Sequence, residues 1–505
     1  MIFNKYNNMN FRYQPKEEKL IVSASTRIEY HQIKIWLTRK IKGYRFLPAV
    51  KMGVWNGDVS YFDNGKVNLG LWKECLRACQ EIGVKFTIDN KEDFPLDRDV
   101  TLESVEDFCQ EFFKEHKVKV NGEWVPFMPY EHQINTAFKI LKNRYCMAEV
   151  ATSGGKSLII SIVIFYTLKH INADAKFLII VPSITLVTQF YENFLEYNYG
   201  FNFLDKYNDK VDFREHSIDL ILKENPNYSP CHIKMEEIMS DRPRKYSGLN
   251  QPNIYISTYQ SLEKWPKEFF QQFHAVVCDE AHGAKSATLL GILKKTFNHA
   301  YCRFGVSGTF PRDDTAEILA IQSVLGPKIA EVSADELKQK GIITPMEIKS
   351  VILNHADSEV GERLSYIRKM GAGADAFILE KNIIQNSDKR LEFIKKLVSN
   401  CKGNTLVLFH TIEYGTKIFN KLKDEIKDKD FYYIDGEINN KKREAIKAEM
   451  EKTKEMVEYT ILNFGDYEVE IESDSKILLS NGKWKLAKDI DSNDDIDDNF
   501  LKKIR

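Results

Sequence analysis

The spacing of apolar positions changes along the chain, and the changes divide it. Over residues 18–95 two rhythms mix. The run "KLIVSAS" predicts a strand and "RIEYHQIKIWLTRKI" a helix. "GDVSYFDNGKVNLG" predicts a hairpin turning at Asp63-Asn64-Gly65, and "LWKECLRACQEIG" a second helix closed by Gly83. The polar stretch before them, residues 1–17, is expected to be loose, and the charged, helical residues 96–125 to act as a linker. From about 126 to 330 short apolar runs (Tyr145–Val150, Phe177–Val181, Ile254–Ser257, Ala275–Cys278, Tyr301–Val306) alternate with helical stretches. Runs of this length without strict alternation suit strands buried on both faces, and their alternation with helices suits a parallel, doubly wound sheet. A second α/β block begins near 346, with "NTLVLFH" and "FYYIDG" as strands, and the last fifteen residues, acidic and then basic, read as frayed.

Composition narrows the class without naming a chemistry. The 505 residues are too many for one core, and 43% hydrophobic against 29% charged is the balance of globular domains. A net charge of −1 supplies no global attraction to a polyanion, so any nucleic-acid affinity must come from local basic patches. Of the eight cysteines, Cys75 and Cys79 lie four apart on a helix with no second close pair to complete a zinc site, and the set reads as reduced core thiols. No run of about 18 apolar residues and no signal-peptide pattern is found, so the expectation is a protein of a cytoplasm with no membrane partner.

Two segments carry chemistry. "VATSGGKS", residues 150–157, places a small-residue loop between a strand and a helix. Thr152, Ser153, Gly154 and Gly155 let backbone N–H groups close around phosphates, Lys156 reaches the β- and γ-phosphates, and the Ser157 hydroxyl ligates Mg²⁺. The strict pattern has Gly where Val150 stands. "AVVCDEAH", residues 275–282, ends an apolar strand in two carboxylates: Asp279 to hold Mg²⁺ and Glu280 to orient and deprotonate water.

With His282 completing the tetrapeptide, the chain resembles the DExH helicases of superfamily two. The resemblance implies an adenine-reading Gln133 in "YEHQ", with Tyr130 or Phe127 stacking nearby. It implies strand-touching loops at "VPSITLVTQ" and "STYQSL", with Gln189 and Thr258 as contacts, and a coupling motif at Ser307-Gly308-Thr309. "GNTLVLFHTIEYG" and "YYIDGEINNKKREAIK", with Arg443 in the usual arginine position, resemble the start of a second RecA-like domain. Lys42 to Asp63 resembles the N-terminal signature of UvsW-like phage DNA helicases. There Lys42 and Arg45 are candidate DNA contacts, while Phe46 and Trp55 are expected in the core.

The implied fold is α/β: tandem RecA-like P-loop domains (126–330 and an incomplete 331–452), a small α+β domain (18–95) before them and a short β-rich tail (453–505) after. The implied function is ATP- and Mg²⁺-dependent remodelling of branched DNA in phage recombination, replication and repair, with ATP held between the two RecA-like domains. After about residue 452 the resemblance ends without the Gln-x-x-Gly-Arg-x-x-Arg segment, which raises a second expectation: a half-enzyme that binds ATP and DNA and needs a second chain to supply motifs V and VI. The tail, with a turn at Asn481-Gly482, resembles an intein or Hint fragment.

Overall fold

The computed structural model describes residues 8–90, 98–120, 122–214, 218–238, 251–297, 299–311, 315–343, 358–370, 373–401, 405–409, 411–436, 438, 442–443, 445–446, 449, 460–463, 476–478 and 484–486. It divides into two units, Met1–Thr344 and Pro345–Arg505. Among the described residues no helix is long and apolar enough to cross a membrane.

The first unit opens on a four-stranded sheet. β1 (Asn8–Gln14) and β2 (Lys19–Ala24) pair antiparallel. β3 (Thr38–Lys40) and β4 (Asp58–Ser60) form a separate antiparallel pair. β5 (Lys66–Asn68) and β6 (Lys85–Asp89) complete the first sheet in the order β5-β2-β1-β6. β1 corrects the expectation of a loose N-terminus: Met9, Phe11 and Tyr13 alternate with Asn8, Asn10 and Arg12, and the period-two set is buried under helices Arg27–Trp36 and Trp72–Ile82. Thr26 and Glu29 cap the first helix reciprocally, and Gly83, at φ 74°, ends the second. The turn at Asp63-Asn64-Gly65 forms, with Asn64 and Gly65 at φ 47° and 76° and Asp63 bridged to Lys66. Its flanks are not one hairpin, however: β4 pairs with β3, and β5 with β2. Phe46 and Trp55 correct a second expectation: neither is in the core, Phe46 being exposed and Trp55 half-buried.

Residues 98–126 are not a free linker. Helix Leu102–Phe112, capped by Thr101, buries Val105, Phe108 and Cys109 in the next domain's core, and β7 (Lys117–Val120) pairs with β8 (Glu123–Pro126).

The next sheet contains β9 (Tyr145–Val150), β10 (Phe177–Val181), β11 (Met235–Ile238), β12 (Ile254–Thr258), β13 (Ala275–Asp279), β14 (Cys302–Ser307) and β15 (Lys328–Val332). All neighbours pair in parallel, in the order β11-β12-β10-β13-β14-β9-β15. β10, β12, β13 and β14 are buried along their whole length, as strands covered on both faces must be. Because β13, β14 and β9 lie side by side, the loops leaving their carboxyl ends meet, the usual place for a ligand in an open α/β sheet. The boundary expected at 330 falls inside β15; that strand and helix Ala334–Gln339, which buries Leu337 in the same core, belong to this sheet and not to the entry of a second domain.

The two larger sheets of the first unit are joined firmly. Leu319, on helix Ala316–Leu325, lies in the N-terminal core, and the Tyr61 hydroxyl donates to the Ala316 carbonyl at 2.8 Å. Arg303 of β14 forms a fully buried ion pair with Glu18 of the β1–β2 turn.

In the second unit, helices Asp388–Asn400 and Ile412–Glu425 pack Leu391, Ile394, Val398, Tyr414, Ile418 and Leu422 together beside β16 (Thr405–Leu408). β17 (Thr460–Asn463) pairs with β16 in parallel, so a segment expected to open a separate tail shares a sheet with the second α/β block. "FYYIDG", expected as a strand, is not one: Phe431 packs on the helical core and the Tyr433 ring stacks on Phe409 at 5.5 Å. β18 (Lys476–Leu478) and β19 (Trp484–Leu486) pair antiparallel, while the Asn481-Gly482 turn lies outside the described residues. Cys75 and Cys79 are buried on one face of their helix, and burial pushes the Cys79 thiol up to about 11.

Candidate nucleotide site

The loop after β9 is built by its small residues. Ser153 and Gly155 both have positive φ, 65° and 82°, and helix Lys156–Tyr166 starts immediately after. A side chain at the second glycine would be strained at φ 82° and would displace the Gln133 amide, its Cβ standing 2.1 Å from Gln133 Nε2. A Cβ on Gly154 would stand 2.7 Å from Val150 Cγ1 and 2.9 Å from the Ala151 carbonyl. The turn is closed by Gly154 N–H to Ala151 O at 2.9 Å, and Ala151 N–H is tied to Val332 of β15 at 2.9 Å. The first-turn amides of a helix have no partner within it, so this helix start offers donors to an anion.

Helix Glu131–Lys142 presses on that loop. The buried Gln133 accepts from Tyr130 N–H at 2.8 Å and donates to Gly154 O at 3.2 Å. His132 Nε2 lies 3.0 Å from the same carbonyl, an interaction that requires its proton on that nitrogen. Here the Gln133 amide grips the phosphate loop. Tyr130 stays half-exposed, its ring stacked on His132 at 5.8 Å. Phe127, the alternative stacking residue, is committed elsewhere, packed on Phe113 and Tyr197 at 5.4 and 6.3 Å. Tyr197 also hydrogen-bonds the Ser157 side chain. Neither His132 nor Tyr197 was singled out from the sequence; the first sits inside "YEHQ", the second gives no local signal.

Asp279 ends β13 and is buried, and its Oδ1 has no hydrogen-bond partner among the described residues. Burial, with the Glu280 charge adding, pushes its carboxyl up to about 6. A buried carboxylate oxygen without a partner is a hard-oxygen donor of the kind Mg²⁺ takes. Glu280 follows in the left-handed region at φ 47°, an uncommon conformation for a residue with a side chain and one that clusters at functional sites. Its Oε1 is 2.9 Å from Lys156 Nζ, and its Oε2 is 3.2 Å from His282 Nδ1 and 3.3 Å from Ser307 Oγ. Burial would raise the Glu280 pKa, but Lys156, helped by His282 and Ser307, outweighs it and holds the carboxyl below its ordinary value.

Ser307, at the end of β14, also lies 2.9 Å from His282 Nδ1 and 2.9 Å from the Thr309 carbonyl. One hydroxyl carries one proton. If it goes to Thr309 O, His282 Nδ1–H donates to Ser307 Oγ and Glu280 together. Gly308 lies against the phosphate loop, its Cβ position 3.6 Å from Thr152 Oγ1 and 3.7 Å from Lys156 Nζ. The fold thus gathers Thr152–Ser157, Asp279, Glu280, His282 and Ser307–Thr309 from three adjacent strand ends, with Gln133 behind the loop.

The expected strand contacts stand apart from this group. Gln189 is exposed on helix Ile184–Tyr199, which leaves β10. Thr258 ends the neighbouring β12 but is buried, its hydroxyl 3.0 Å from Ser261 Oγ and accepting from Ser261 N–H at 3.3 Å. It shapes its loop and offers no free hydroxyl. Lys42 and Arg45 are exposed on the N-terminal excursion between β3 and β4.

Residues 126–312 match the family described as "Type III restriction enzyme, res subunit". Over 462 residues, 90% of this chain and 80% of the other, the chain is 26% identical to the ATP-dependent DNA helicase uvsW of Enterobacteria phage T4. A crystal structure of the UvsW helicase from bacteriophage T4 is similar at 22% identity with a TM-score of 0.48, covering 64% of this chain and 99% of that one. A second T4 UvsW structure is similar at 21% and 0.49, covering 92% and 81%. The sequence similarity and the matched family make the chain an enzyme related to ATP-dependent helicases.

Proposed function

We propose that this chain is an ATP-dependent DNA motor that remodels branched DNA, such as junctions, stalled forks and R-loops, in recombination, replication and repair, acting in the cytoplasm of a host cell. The observation that carries the reading is the convergence of Lys156, Asp279, Glu280, His282 and Ser307 at the carboxyl ends of three adjacent parallel strands. Lys156 and Glu280 hold each other until phosphates compete for the lysine. When Lys156 turns to the β- and γ-phosphates, Glu280 is released to orient a water and take its proton. Ser157 and Asp279 would hold Mg²⁺, which neutralises charge on the phosphates. The hydrogen bonds from His282 through Ser307 to Thr309 would report the change to the loop after β14.

A full motor is favoured over a half-enzyme waiting for a partner chain because the similarity to the T4 helicase runs over 90% of this chain and 80% of that protein. The branched substrate and the contacts by Gln189, Thr258, Lys42 and Arg45 rest on the resemblance, Thr258 being the weakest because its hydroxyl is engaged. The intein-like reading of the tail rests on its sequence.

The test is ATP hydrolysis by the 505-residue chain with single-stranded, blunt duplex and forked DNA, beside strand separation of the fork. Stimulation greatest with the fork, together with ATP-dependent separation, is expected. Turnover indifferent to DNA would overturn the reading.

A further inference from the structure

The nucleotide loops leave the carboxyl ends of the seven-stranded sheet. At the opposite edge, the residues that enter the strands fall in a row: Lys176 before β10, His274 before β13, Tyr301 before β14 and Arg144 before β9. Backbone bonds fix the row. His274 N–H donates to Lys176 O at 2.8 Å, Cys302 N–H to His274 O at 3.1 Å and Arg303 N–H to Arg144 O at 2.8 Å. Arg98 is tied on by its own N–H, which donates to Lys142 O at 2.8 Å.

Two guanidinium groups and an imidazole gather here around one ring. Arg144 Cζ lies 3.9 Å and Arg98 Cζ 4.3 Å from the centroid of Tyr301, and the His274 ring lies 5.0 Å from it. Arg144 commits its Nε to the Tyr301 carbonyl at 2.8 Å. Among the described residues no carboxylate pairs with Arg98, Arg144 or His274, and Arg98 Nε, Arg98 Nη2 and His274 Nε2 are closed from solvent without a hydrogen-bond partner. Nε and Nη2 form one edge of the guanidinium, where two parallel N–H groups can take two oxygens of one oxyanion. The Cys302 thiol beside Arg98 is a weak acceptor. Burial, with the Arg98 and Arg144 charges adding, pushes the His274 imidazole down to about 4. The Tyr301 ring eases the two charges by cation–π attraction but supplies no oxygen to the fork. The cluster is near the surface: Tyr301 is exposed, and Arg98, Arg144 and His274 are half-buried. Gathered cations with unmatched N–H groups are completed by an anion rich in acceptor oxygens.

We infer that Arg98, Arg144 and His274 form an oxyanion site at the amino edge of the sheet, and that its ligand is a phosphate group. Arg98 takes two of its oxygens through Nε and Nη2, Arg144 supplies a second charge, and His274 donates from Nε2 when its proton is there. A tetrahedral phosphate has oxygens for all three donors, whereas a carboxylate has two. The phosphate is either free or part of a DNA backbone; only the second source rests on the proposed function.

The experiment is thermal unfolding of the full chain carrying Lys156→Ala, which weakens the phosphate loop, in inorganic phosphate and in chloride at matched ionic strength. At tenfold excess over Kd, phosphate is expected to raise the melting temperature by about 2–4 °C. Adding Arg98→Gln, or Arg98→Lys, which keeps the charge and loses the fork, should abolish the rise. Each variant is compared with its own melting temperature in chloride, so a weakened background does not hide the result. Single-stranded DNA separates the sources. A backbone phosphate is assigned if DNA displaces inorganic phosphate and Arg98→Gln lowers the slope of log affinity against log salt by about one. A free phosphate is assigned if the rise persists with DNA bound. No rise in the Lys156→Ala chain, the result an intramolecular partner for the fork would give, overturns the inference, and so does a rise that Arg98→Gln retains.

Discussion

Two glutamate–cation pairs hang on neighbouring strands of the same sheet, and they differ in completeness. Arg303 of β14 and Glu18 are both almost wholly buried; the guanidinium lies 4.4 Å from the Tyr145 ring and 4.6 Å from the Phe297 ring, and its Nε donates to Val324 O at 3.0 Å. Every side of that cation is matched. Lys156 and Glu280, after β9 and β13, keep side-chain exposures of 16% and 29%. Glu280 also contacts His282 and Ser307, and beside it an Asp279 oxygen has no partner among the described residues. A closed pair is a joint, and here it fastens the N-terminal sheet to the seven-stranded sheet. An open one is a site, since polar groups left unmatched within the chain are the ones a ligand can complete.

The largest effect should come from the unmatched group. Asp279→Asn is expected to lower Mg²⁺-dependent ATP turnover by more than about 100-fold, because a hard-oxygen ligand is lost. The same change should stabilise the nucleotide-free protein at pH 7.5 by about 2 kcal/mol. The sign follows from the raised pKa, about 6 against an ordinary 3.8. The folded state holds this proton more tightly than the unfolded chain, so stability falls as pH rises from about 4 to about 6, and the full penalty is present above that. The advantage of Asn should therefore shrink as pH is lowered through 6 and vanish below about 4, a pattern that thermal unfolding at several pH values would reveal. An advantage independent of pH would contradict the assignment.

Next in size is the closed pair. Glu18→Gln leaves the Arg303 charge buried without its partner and should cost about 3–5 kcal/mol in denaturant unfolding. Glu18→Leu combined with Arg303→Met should recover most of that loss; a double variant as unstable as the single one would mean that the ring contacts, and not the charge, hold the joint. His282→Ala should have a smaller consequence, about a fivefold fall in DNA-stimulated turnover, in proportion to one lost hydrogen bond to Ser307. Smallest is Arg45→Gln, which should reduce the slope of log affinity against log salt by about one for any DNA.

The residues of the candidate nucleotide site could be singled out because the patterns that carry them are local. A glycine loop between strand and helix and two carboxylates at a strand end are contiguous in sequence, and so are Ser307-Gly308-Thr309. What was not legible depends on partners far along the chain. No pattern around residue 18 foretells Arg303 as its partner, and nothing near Tyr197 indicates Ser157. Period-two alternation in β1 was present to be read, but interleaved asparagines made the segment look polar. The opposite error befell Phe46 and Trp55: aromatic residues in a small domain are usually core, but here Phe46 is exposed and Trp55 only half-buried, on an excursion closed by Tyr44 over Gly57. Thr258 can be read two ways for a related reason, since a threonine at a strand end serves equally well as a helix cap.

The central claim is that Glu280 activates water and that Lys156 restrains it until nucleotide binds. The most direct test is steady-state ATP hydrolysis with saturating DNA by the wild type and Glu280→Gln, beside ATP affinity for each. The account predicts turnover lower by about 10²–10⁴-fold in Glu280→Gln, with ATP bound at least as tightly because Lys156 is no longer held. Turnover within about twofold of wild type would contradict it and move the base to another residue.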